Sequence, residues 1–330
     1  MTPADRIPVG RNRLELPRIG LGTAPLGGLF RPTEDAEAAG AVETAYALGV
    51  RYFDTAPLYG YGLAEERLGR GLQGKPRDEF VLSTKVGRLL RADAPPDASQ
   101  FHNGEPYYKG TPPVNPLFDF SYDGVMRSVE ESLTRLRLDR VDILYIHDPD
   151  RHHPEALEGA YKALAALRSA GTVAAIGAGM NAWRPLAQFA READFDCFML
   201  AGRYTLLDQS ALPELLPLCL ERRIAIVAAG VFNSGVLADP RAKARFNYVP
   251  APRDLVERAI RIETVCGRWG VPLRAAAVQF PFGHPAVASV VVGCRTAAAV
   301  QENLELFQHV HKAHPSQLTG QRAGISLRFV

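Results

Sequence analysis

Short apolar segments alternate with longer segments of helical periodicity along almost the whole chain, and this alternation limits the possible folds more than any other feature. The apolar segments are RIGLGT, RYFDT, FVLSTK, VDILYIH, TVAAIGA, DCFMLAG, IAIVAAG and ASVVVG. Helical segments such as DAEAAGAVETAYALG and AAAVQENLELF follow them. Strands that are apolar on both faces and joined by helices indicate a parallel sheet with right-handed crossovers.

Eight strand and helix pairs are the number that closes a (β/α)8 TIM barrel, and a doubly wound open sheet is the alternative within the α/β class. The 330 residues exceed the usual single domain, but closed barrels reach this size undivided. A hydrophobic content of 47% supplies a sizeable core. We therefore predict one barrel domain over residues 1–330, with a long substrate-side loop at about 86–120.

The charge pattern narrows the class of partner. A formal net charge of +2 creates no field that would attract nucleic acid, so a small molecule is the expected partner. No apolar run approaches the ~18 to 20 residues of a membrane span, and the opening MTPADRIPVG lacks the apolar core of a signal peptide. We expect a cytoplasmic protein without membrane association, and the sequence does not indicate an oligomeric state.

Titratable side chains stand at the ends of consecutive predicted strands. Asp54 ends the second strand, Lys85 the third and His147 the fourth, while Tyr59 lies in the loop after the second. Taken singly, each has an ordinary explanation as a helix cap, a solvated lysine or a satisfied core histidine. Because the carboxyl ends of barrel strands meet at one face, four such side chains together favour a catalytic site.

The four side chains suit proton transfer at an oxygen. A tyrosine with a pKa near ~10 exchanges protons poorly at neutral pH unless a cation stabilises its phenolate, and Lys85 is the expected cation for Tyr59. Asp54 would hold Lys85 by an ion pair, and His147 would hydrogen-bond the substrate oxygen. No nucleophile stands beside a base, so acyl transfer is disfavoured. Proton transfer at a carbonyl or hydroxyl then requires a hydride carrier, for which a nicotinamide cofactor is the natural choice.

The segments DTAPLYG, STK and YIHDPD, in this order, resemble the catalytic strands of the aldo-keto reductase superfamily, and the eight-unit pattern is similar over essentially the whole chain. The resemblance implies Tyr59 as general acid or base, Asp54 and Lys85 as its tuning groups, and His147 as the group that orients the substrate. Closer likeness, carried by STKVGRLLR, AGRYTLLDQSALPELLPLC and FNSGVLADP, is to the bacterial branch of D-threo-aldose 1-dehydrogenases, L-fucose dehydrogenases and pyridoxal 4-dehydrogenases.

This likeness leads us to expect an NAD(P)-dependent enzyme that oxidises an aldose of the L-fucose type to its lactone. A generic aldehyde or ketone reductase and a pyridoxal 4-dehydrogenase are alternatives. A cofactor-binding sensor or regulatory subunit without turnover is an alternative of another class, against which the intact set of four side chains argues.

The chain departs from the superfamily pattern at the cofactor site. The usual Ser-Asn pair after the fifth strand falls on Gly179 and Met180, which leaves Asn181, displaced by one position, as the candidate. A glutamine expected on the sixth strand is Ala201, and the tyrosine that stacks on the nicotinamide ring is Ala229. Neither alanine can perform the family role.

Two segments remain to hold the phosphates. The loop GVFNSG offers backbone N–H groups to a pyrophosphate, and the helix start in VVGCRTAAAVQEN can receive a phosphate. The expected cofactor-binding residues are Gly22, Thr23, Gly179, Asn181, Gly230, Val231, Phe232, Asn233, Ser234, Gly235, Gly293, Arg295, Thr296, Gln301 and Asn303.

The choice between NAD and NADP depends on few cations. Basic residues that many family members use for the 2′-phosphate align with Gly293 and Ala299, so Arg295 is the one cation of that segment. The sequence therefore leans towards NAD, although one arginine at a helix start can bind phosphate bidentately.

Substrate selection is expected in the loops. The loop from Val86 to about Phe120 is longer than ~15 residues, a length typical of functional lids, and its aromatic residues suit a sugar or polar ring. Further substrate-binding candidates at strand ends are Phe30, Asp148, Trp183 and Arg203.

Two other motifs suggest different chemistry. GAGMNA satisfies the loose dinucleotide pattern GxGxxG/A, but it follows the fifth strand instead of opening a domain. HDPDRHH suggests a metal that activates water, yet His152 and His153 cannot easily share a metal with His147 across the Pro149 loop. The four cysteines are scattered without a CxxC pair, so we predict reduced thiols and no metal site.

Overall fold

A computed structural model describes residues 1–242 and 244–309 of the chain. The terminal segment QRAGISLRFV lies outside the described residues. Eight parallel strands form a closed barrel in which each strand pairs with its neighbours in chain order and the last pairs with the first. They are β1 (Ile19–Gly22), β2 (Tyr52–Asp54), β3 (Val81–Val86), β4 (Ile143–His147), β5 (Ala175–Met180), β6 (Cys197–Ala201), β7 (Ala225–Ala229) and β8 (Val287–Gly293). The (β/α)8 prediction is confirmed, and the open sheet is excluded.

Helices surround the barrel. They are α1 (Asp35–Ala47), α2 (Leu63–Leu72), α3 (Tyr122–Leu136), α4 (Lys162–Ser169), α5 (Trp183–Glu192), α6 (Leu215–Arg222), α7 (Arg253–Arg268), α8 (Leu273–Gln279) and α9 (Ala297–Gln308). A short helical turn and a π-helical turn, Ala156–Tyr161, lead directly into α4. The sequence pattern did not predict α8, a seven-residue alanine-rich helix that packs on α7.

Successive side chains along each strand point alternately into the barrel and towards the helices, and this divides the core into two layers. Tyr52 belongs to the cluster inside the barrel, while its neighbour Phe53 belongs to the larger cluster between the strands and the helices. Both faces of each strand are therefore apolar, which is why the strands lack a polar face in the sequence. Val9 and Leu16, from an N-terminal antiparallel hairpin, join the inner cluster and close the amino-terminal end of the barrel.

Two carboxylates reinforce that closed end by binding the backbone of the preceding strand. Asp142 accepts from the Leu82 N–H at 2.7 Å, and Asp196 accepts from the Ile176 N–H at 2.9 Å. Asp196 also accepts from Arg168 at 2.8 Å and from the backbone N–H of Arg11 at 3.1 Å. One side chain thus connects the hairpin, β5 and α4 at the end opposite the site.

The long loop after β3 has structure of its own. Arg88–Arg91 pairs with Asn115–Phe118, and Phe101–His102 pairs with Glu105–Pro106. A backbone hydrogen bond of 2.7 Å from Phe30 to the Tyr107 carbonyl ties this loop to the one after β1. The loop therefore covers the carboxyl-terminal end of the barrel as an ordered element. Within the described residues, no helix is long and apolar enough to cross a membrane.

Replacing Asp196 by alanine should lower the free energy of unfolding by about 3 kcal/mol, because it leaves two backbone N–H groups without their acceptor and a mostly buried guanidinium with the exposed Asp194 as its remaining carboxylate partner. Asp194→Ala is the matched control, since Asp194 pairs with the same Arg168 but exposes 47% of its side chain against 1% for Asp196. The control should lose less than ~1 kcal/mol. Urea unfolding measures both, and equal losses would contradict the role given to Asp196.

Candidate active site

A cavity of about 1020 Å³ opens at the carboxyl-terminal ends of the barrel strands. Its lining includes all four side chains expected to be catalytic, Asp54, Tyr59, Lys85 and His147. The barrel brings them together because β2, β3 and β4 are neighbours that run in the same direction. The position of the cavity agrees with the general rule that barrel chemistry lies at this face.

The floor of the cavity is a buried ion pair. Lys85 Nζ donates to Asp54 Oδ1 at 2.9 Å and to Oδ2 at 2.8 Å, and it also donates to the Thr55 carbonyl at 2.9 Å. Ser83 Oγ donates to Asp54 Oδ1 at 2.7 Å. The side chains of Lys85 and Asp54 are 2% and 3% exposed, respectively. Burial raises the pKa of Asp54 above its ordinary value, although Lys85 and Ser83 act in the opposite direction.

Tyr59 stands on a turn that is held by close backbone contact. A Cβ on Gly27 would lie 2.5 Å from the Tyr59 carbonyl carbon, and one on Gly60 would lie 2.2 Å from the Gly27 oxygen. Gly60 also has a φ of 64°, in the left-handed region that favours glycine. Two glycines thus let the turn that carries Tyr59 rest on the loop after β1.

The environment of Tyr59 differs from the sequence-based expectation. Lys85 Nζ lies 4.7 Å from the centroid of the Tyr59 ring, with its charge already engaged by Asp54. Burial, followed by the charge of Asp54, raises the pKa of Tyr59 well above 10. The expected lowering of the Tyr59 pKa by Lys85 is therefore not found, because burial of the phenol and then the charge of Asp54 raise that pKa. Tyr59 is protonated at neutral pH, and its hydroxyl makes no hydrogen bond to the described part of the chain.

His147 faces Tyr59 across the cavity. The two ring centroids are 5.8 Å apart at an interplanar angle of 87°. Burial, together with Arg88 and Lys85, lowers the pKa of His147 well below 6.5, so the imidazole is neutral. His147 Nε2 lies 3.5 Å from Asp148 Oδ2. A neutral imidazole has one N–H to donate and one nitrogen to accept, which suits the orientation of a substrate oxygen.

Aromatic residues from three loops form one wall. Phe30, Tyr107 and Tyr248 have centroids 5.7 to 6.3 Å apart, and Tyr108 stands 6.3 Å from Tyr59. Burial and the charge of Asp148 raise the pKa of Tyr248 to about 12. Sequence reasoning missed Tyr248, although an aromatic residue in the long segment after β7 was an available signal.

Sequence reasoning also missed Arg88, a buried arginine that lines the cavity beside Asp97 and Asp148. Its signal was a charged residue three positions after Lys85, in a segment of otherwise apolar residues. Asp148 has a φ of 44° and donates its backbone N–H to the Gly179 carbonyl at 3.0 Å. Burial raises the pKa of Asp148 to about 6, against the opposing effect of Arg88.

The structure separates the expected binding residues into two groups. The candidates that line the cavity are Gly22, Phe30, Asp148, Gly179, Asn181, Gly230, Val231, Phe232, Ser234, Gly235, Gly293 and Arg295. The candidates outside the lining are Thr23, Trp183, Arg203, Asn233, Thr296, Gln301 and Asn303.

Residues outside the lining have other partners. Asn233 accepts from Thr205 at 2.7 Å and donates to the Gly202 carbonyl at 3.1 Å, so it ties the loop after β7 to the segment after β6. Arg203 pairs with Asp208 at 3.3 Å. Trp183 packs against the outer core cluster.

On α9 the expected residues also serve the helix itself or its neighbours. Thr296 caps the helix by accepting from the Ala299 N–H at 3.1 Å. Gln301 donates to Glu305 at 3.0 Å. Asn303 accepts from Arg274 at 3.0 Å and is buried.

The lining fits a nicotinamide dinucleotide. Ala201 and Ala229 line the cavity with small side chains, which leaves room for a flat ring. In the loop after β7, the backbone N–H groups of Val231, Phe232 and Ser234 make no hydrogen bond within the described residues. Arg295 lines the same cavity, and its Nε is a buried donor without a partner. Free donors at two separate points suit the phosphates of such a cofactor.

The histidines of HDPDRHH have different surroundings. His152 packs against Phe118 and Phe120, whereas His153 stacks on Phe189 at 4.2 Å and contacts Glu192 at 2.7 Å. Over residues 1–242 and 244–309, no group of three or more His, Cys, Asp or Glu side chains is arranged to hold a metal ion.

The variants Lys85→Met and Asp54→Asn should show strong coupling. Lys85→Met should lose about 3–5 kcal/mol of unfolding free energy, because it leaves the Asp54 carboxylate buried without a cation. The double variant should be more stable than Lys85→Met alone, since both charges are then absent. The exposed pair Arg253–Glu257 is the control cycle, with coupling of about 0.3–0.5 kcal/mol. Additive losses at Asp54 and Lys85 would contradict a pair held by mutual compensation.

Asp148 should make stability depend on pH. Its folded pKa of about 6 exceeds the ordinary 3.8, so the folded state binds the proton more tightly and loses stability as the pH rises between these values. Because 31% of the Asp148 side chain is exposed and solvent screens its charge, the loss of unfolding free energy should be about 1–2 kcal/mol. Asp148→Asn lacks this titration. Its free energy of unfolding, relative to that of the wild type, should therefore rise by that amount between about pH 4 and about pH 7. Urea unfolding at several pH values tests this, and a constant difference would contradict it.

Comparison with known proteins identifies the family. A profile of the aldo/keto reductase family matches residues 18–316. The chain is 44% identical over 322 residues to a pyridoxal 4-dehydrogenase of Microbacterium luteolum, covering 91% of this chain and 92% of the relative. It is 46% identical over 295 residues to a D-threo-aldose 1-dehydrogenase of Pseudomonas sp, covering 88% and 89%.

Among solved structures, an aldo-keto reductase of Bacillus halodurans superposes with a TM-score of 0.72 at 20% identity, covering 94% of this chain and 92% of the other. At that identity, the likeness establishes the fold alone. The resemblance carried by DTAPLYG, STK and YIHDPD is confirmed by the profile and by the two relatives. The chain belongs to the aldo/keto reductase family and is an NAD(P)-dependent oxidoreductase.

Proposed function

We propose that the protein oxidises the anomeric hydroxyl of an aldose to a lactone, with Tyr59 as the acid or base. The observation that carries this proposal is the hydroxyl of Tyr59, which has no partner in the described chain and faces a neutral His147 above the buried Asp54–Lys85 pair. Two groups that can share one substrate oxygen stand at the same point of the cavity. The relative named D-threo-aldose 1-dehydrogenase supports an aldose as the substrate.

Tyr59 and His147 have different roles at the reacting oxygen. His147, kept neutral by burial, hydrogen-bonds the oxygen and fixes its direction. Deprotonated Tyr59 accepts the hydroxyl proton during oxidation, and protonated Tyr59 returns it in the reverse reaction. A nicotinamide cofactor bound in the cavity would supply the hydride acceptor for the anomeric carbon, so that the hydroxyl could become the lactone carbonyl, and the loop after β7 and Arg295 would hold its phosphates. Because the pKa of Tyr59 is raised, oxidation should accelerate with rising pH.

We infer that NAD is preferred over NADP. Arg295 already donates one N–H to the Leu29 carbonyl. Arg31, the other cation whose charge acts on Arg295, is paired with Glu37, and the carboxylate of Glu37 acts on Arg295 as well. A 2′-phosphate would meet that carboxylate, whereas the ribose hydroxyl of NAD could donate to it.

A second candidate substrate is pyridoxal. The relative named pyridoxal 4-dehydrogenase and the aromatic wall of Phe30, Tyr107 and Tyr248 favour a flat polar ring. Absorbance of reduced nicotinamide, measured with NAD or NADP and a panel of L-fucose, D-arabinose, L-galactose, L-xylose and pyridoxal, separates the two candidates. Reduction of a generic aldehyde alone would indicate a reductase, and cofactor binding without turnover would favour a sensor.

Tyr59→Phe should lower turnover by about 10²–10⁴-fold, because it removes the hydroxyl that exchanges the proton with the substrate oxygen. Binding of reduced cofactor, measured by its fluorescence, should remain unchanged. Tyr61→Phe is the matched control on the same turn, since Tyr61 does not line the cavity and should retain full activity. Normal turnover in Tyr59→Phe would overturn the mechanism.

A further inference from the structure

Arg88 is a buried cation for which the proposed proton transfer has no role. It is 5% exposed, and its guanidinium lies 4.3 Å from the centroid of the Phe118 ring. Both residues line the active-site cavity. Arginine is seldom buried without well-formed partners, because an unpaired charged donor in the interior is costly.

The partners of Arg88 are loosely placed. Its Nη2 lies 3.5 Å from Asp148 Oδ2, and its Nη1 lies 3.5 Å from Asp97 Oδ2. Direct charge-assisted hydrogen bonds are shorter, about 2.7–2.9 Å. Nε and Nη1 of Arg88 and Oδ2 of Asp97 are buried without a hydrogen-bond partner in the described chain. Donors and acceptors therefore stand side by side with capacity for further hydrogen bonds.

A hydroxyl group that lies beside such a donor and acceptor, on the cavity side, can bond to both. It donates one hydrogen bond to a carboxylate and accepts another from a guanidinium. Arg88 has a carboxylate on each side, which provides two such places. Phe118, which is 36% exposed and also lines the cavity, supplies apolar surface beside the guanidinium for the C–H groups of a sugar. The lining Gln100 adds an amide that can donate and accept.

The charge balance disfavours an anion. The charged residues of this part of the lining are Arg88, Arg151, Asp97, Asp148 and Asp150. Three carboxylates thus face two guanidiniums, and Arg151 is exposed to solvent. Arg88 lies between two carboxylates, so a phosphate that approached it would meet like charges on both sides.

We propose that Arg88, Asp97 and Asp148 form a subsite for the distal hydroxyls of a neutral polyol and select against phosphorylated substrates. The subsite adjoins the catalytic centre, because Asp148 Oδ2 is 3.5 Å from both His147 Nε2 and Arg88 Nη2. The proposal rests on the proposed function, since it assigns the part of the sugar that does not react. Arg88 is thus a specificity-determining residue.

Binding to the NADH-loaded enzyme, measured by titration calorimetry, tests the subsite without turnover. D-arabinitol, which lacks an anomeric carbon, should bind the wild type, and D-arabinitol 5-phosphate should bind at least tenfold more weakly (an order-of-magnitude estimate). Arg88→Met should weaken D-arabinitol binding by about tenfold or more, through the loss of two hydrogen bonds. Arg91→Met is the matched control, because Arg91 lies on the same short strand but pairs with Glu131 outside the lining.

A second variant tests the subsite independently, in case Arg88→Met does not fold. Asp97→Asn keeps the shape and removes the charge, and it should weaken D-arabinitol binding while thermal unfolding stays near the wild-type temperature. In steady-state kinetics, Arg88→Met should raise the KM for the aldose. The KM for propanal, which has no distal hydroxyls, should be unchanged. A merely structural role would change both.

The outcomes separate the subsite from the proposed function. Equal D-arabinitol binding by the wild type, Arg88→Met and Asp97→Asn would overturn the subsite, even if aldoses are oxidised. Tighter binding of the 5-phosphate, lost in Arg88→Met, would make Arg88 an anion site and would also overturn it. Binding of D-arabinitol that depends on Arg88, without oxidation of any aldose, would support the subsite while the proposed function fails.

Discussion

The ion pair between Asp54 and Lys85 is the constraint on which the rest of the site depends. Burying two charges costs several kcal/mol for each ion, on the order of the Coulombic gain, so the pair persists only with good geometry and further hydrogen bonds. The barrel provides both, because Asp54 is in register with Ser83 on β3, and the Thr55 carbonyl meets the ammonium. Two adjacent parallel strands thus hold a compensated pair under Tyr59.

Compensation within the pair determines the charge of the catalytic end. Burial, followed by the charge of Asp54, keeps the proton on the phenol of Tyr59, and burial keeps the His147 imidazole neutral. The uncompensated polarity lies at the other end, around Arg88 and its two carboxylates. The reacting centre is neutral, and the end of the cavity around Arg88 has donors and acceptors without partners in the described chain. This combination fits a ligand whose other hydroxyls are distant from the reacting carbon.

The barrel is predictable from the sequence, and so is the meeting of Asp54, Tyr59, Lys85 and His147 in one cavity, because both depend on local patterns. Strand ends are visible in the sequence, and closure brings equivalent ends together. The sequence does not reveal that the side chains of Asn303 and Arg203 bond to Arg274 and Asp208, and neither residue lines the cavity. Which face of a helix or loop points inward depends on packing that the sequence pattern does not encode. Tyr248 was missed for the same reason, because it reaches the cavity only through contacts with two other loops.

Those loop contacts explain how the substrate end can vary while the catalytic end stays fixed. The loop after β1 touches the turn of Tyr59 through Gly27 and Gly60, and it bonds the long loop through Phe30 and the Tyr107 carbonyl. Backbone contacts of this kind tolerate changes of side chain on the cavity side but not a Cβ at the glycines. Substitutions around Arg88 can therefore alter which ligand is bound, while these backbone contacts keep the turn that carries Tyr59 in place.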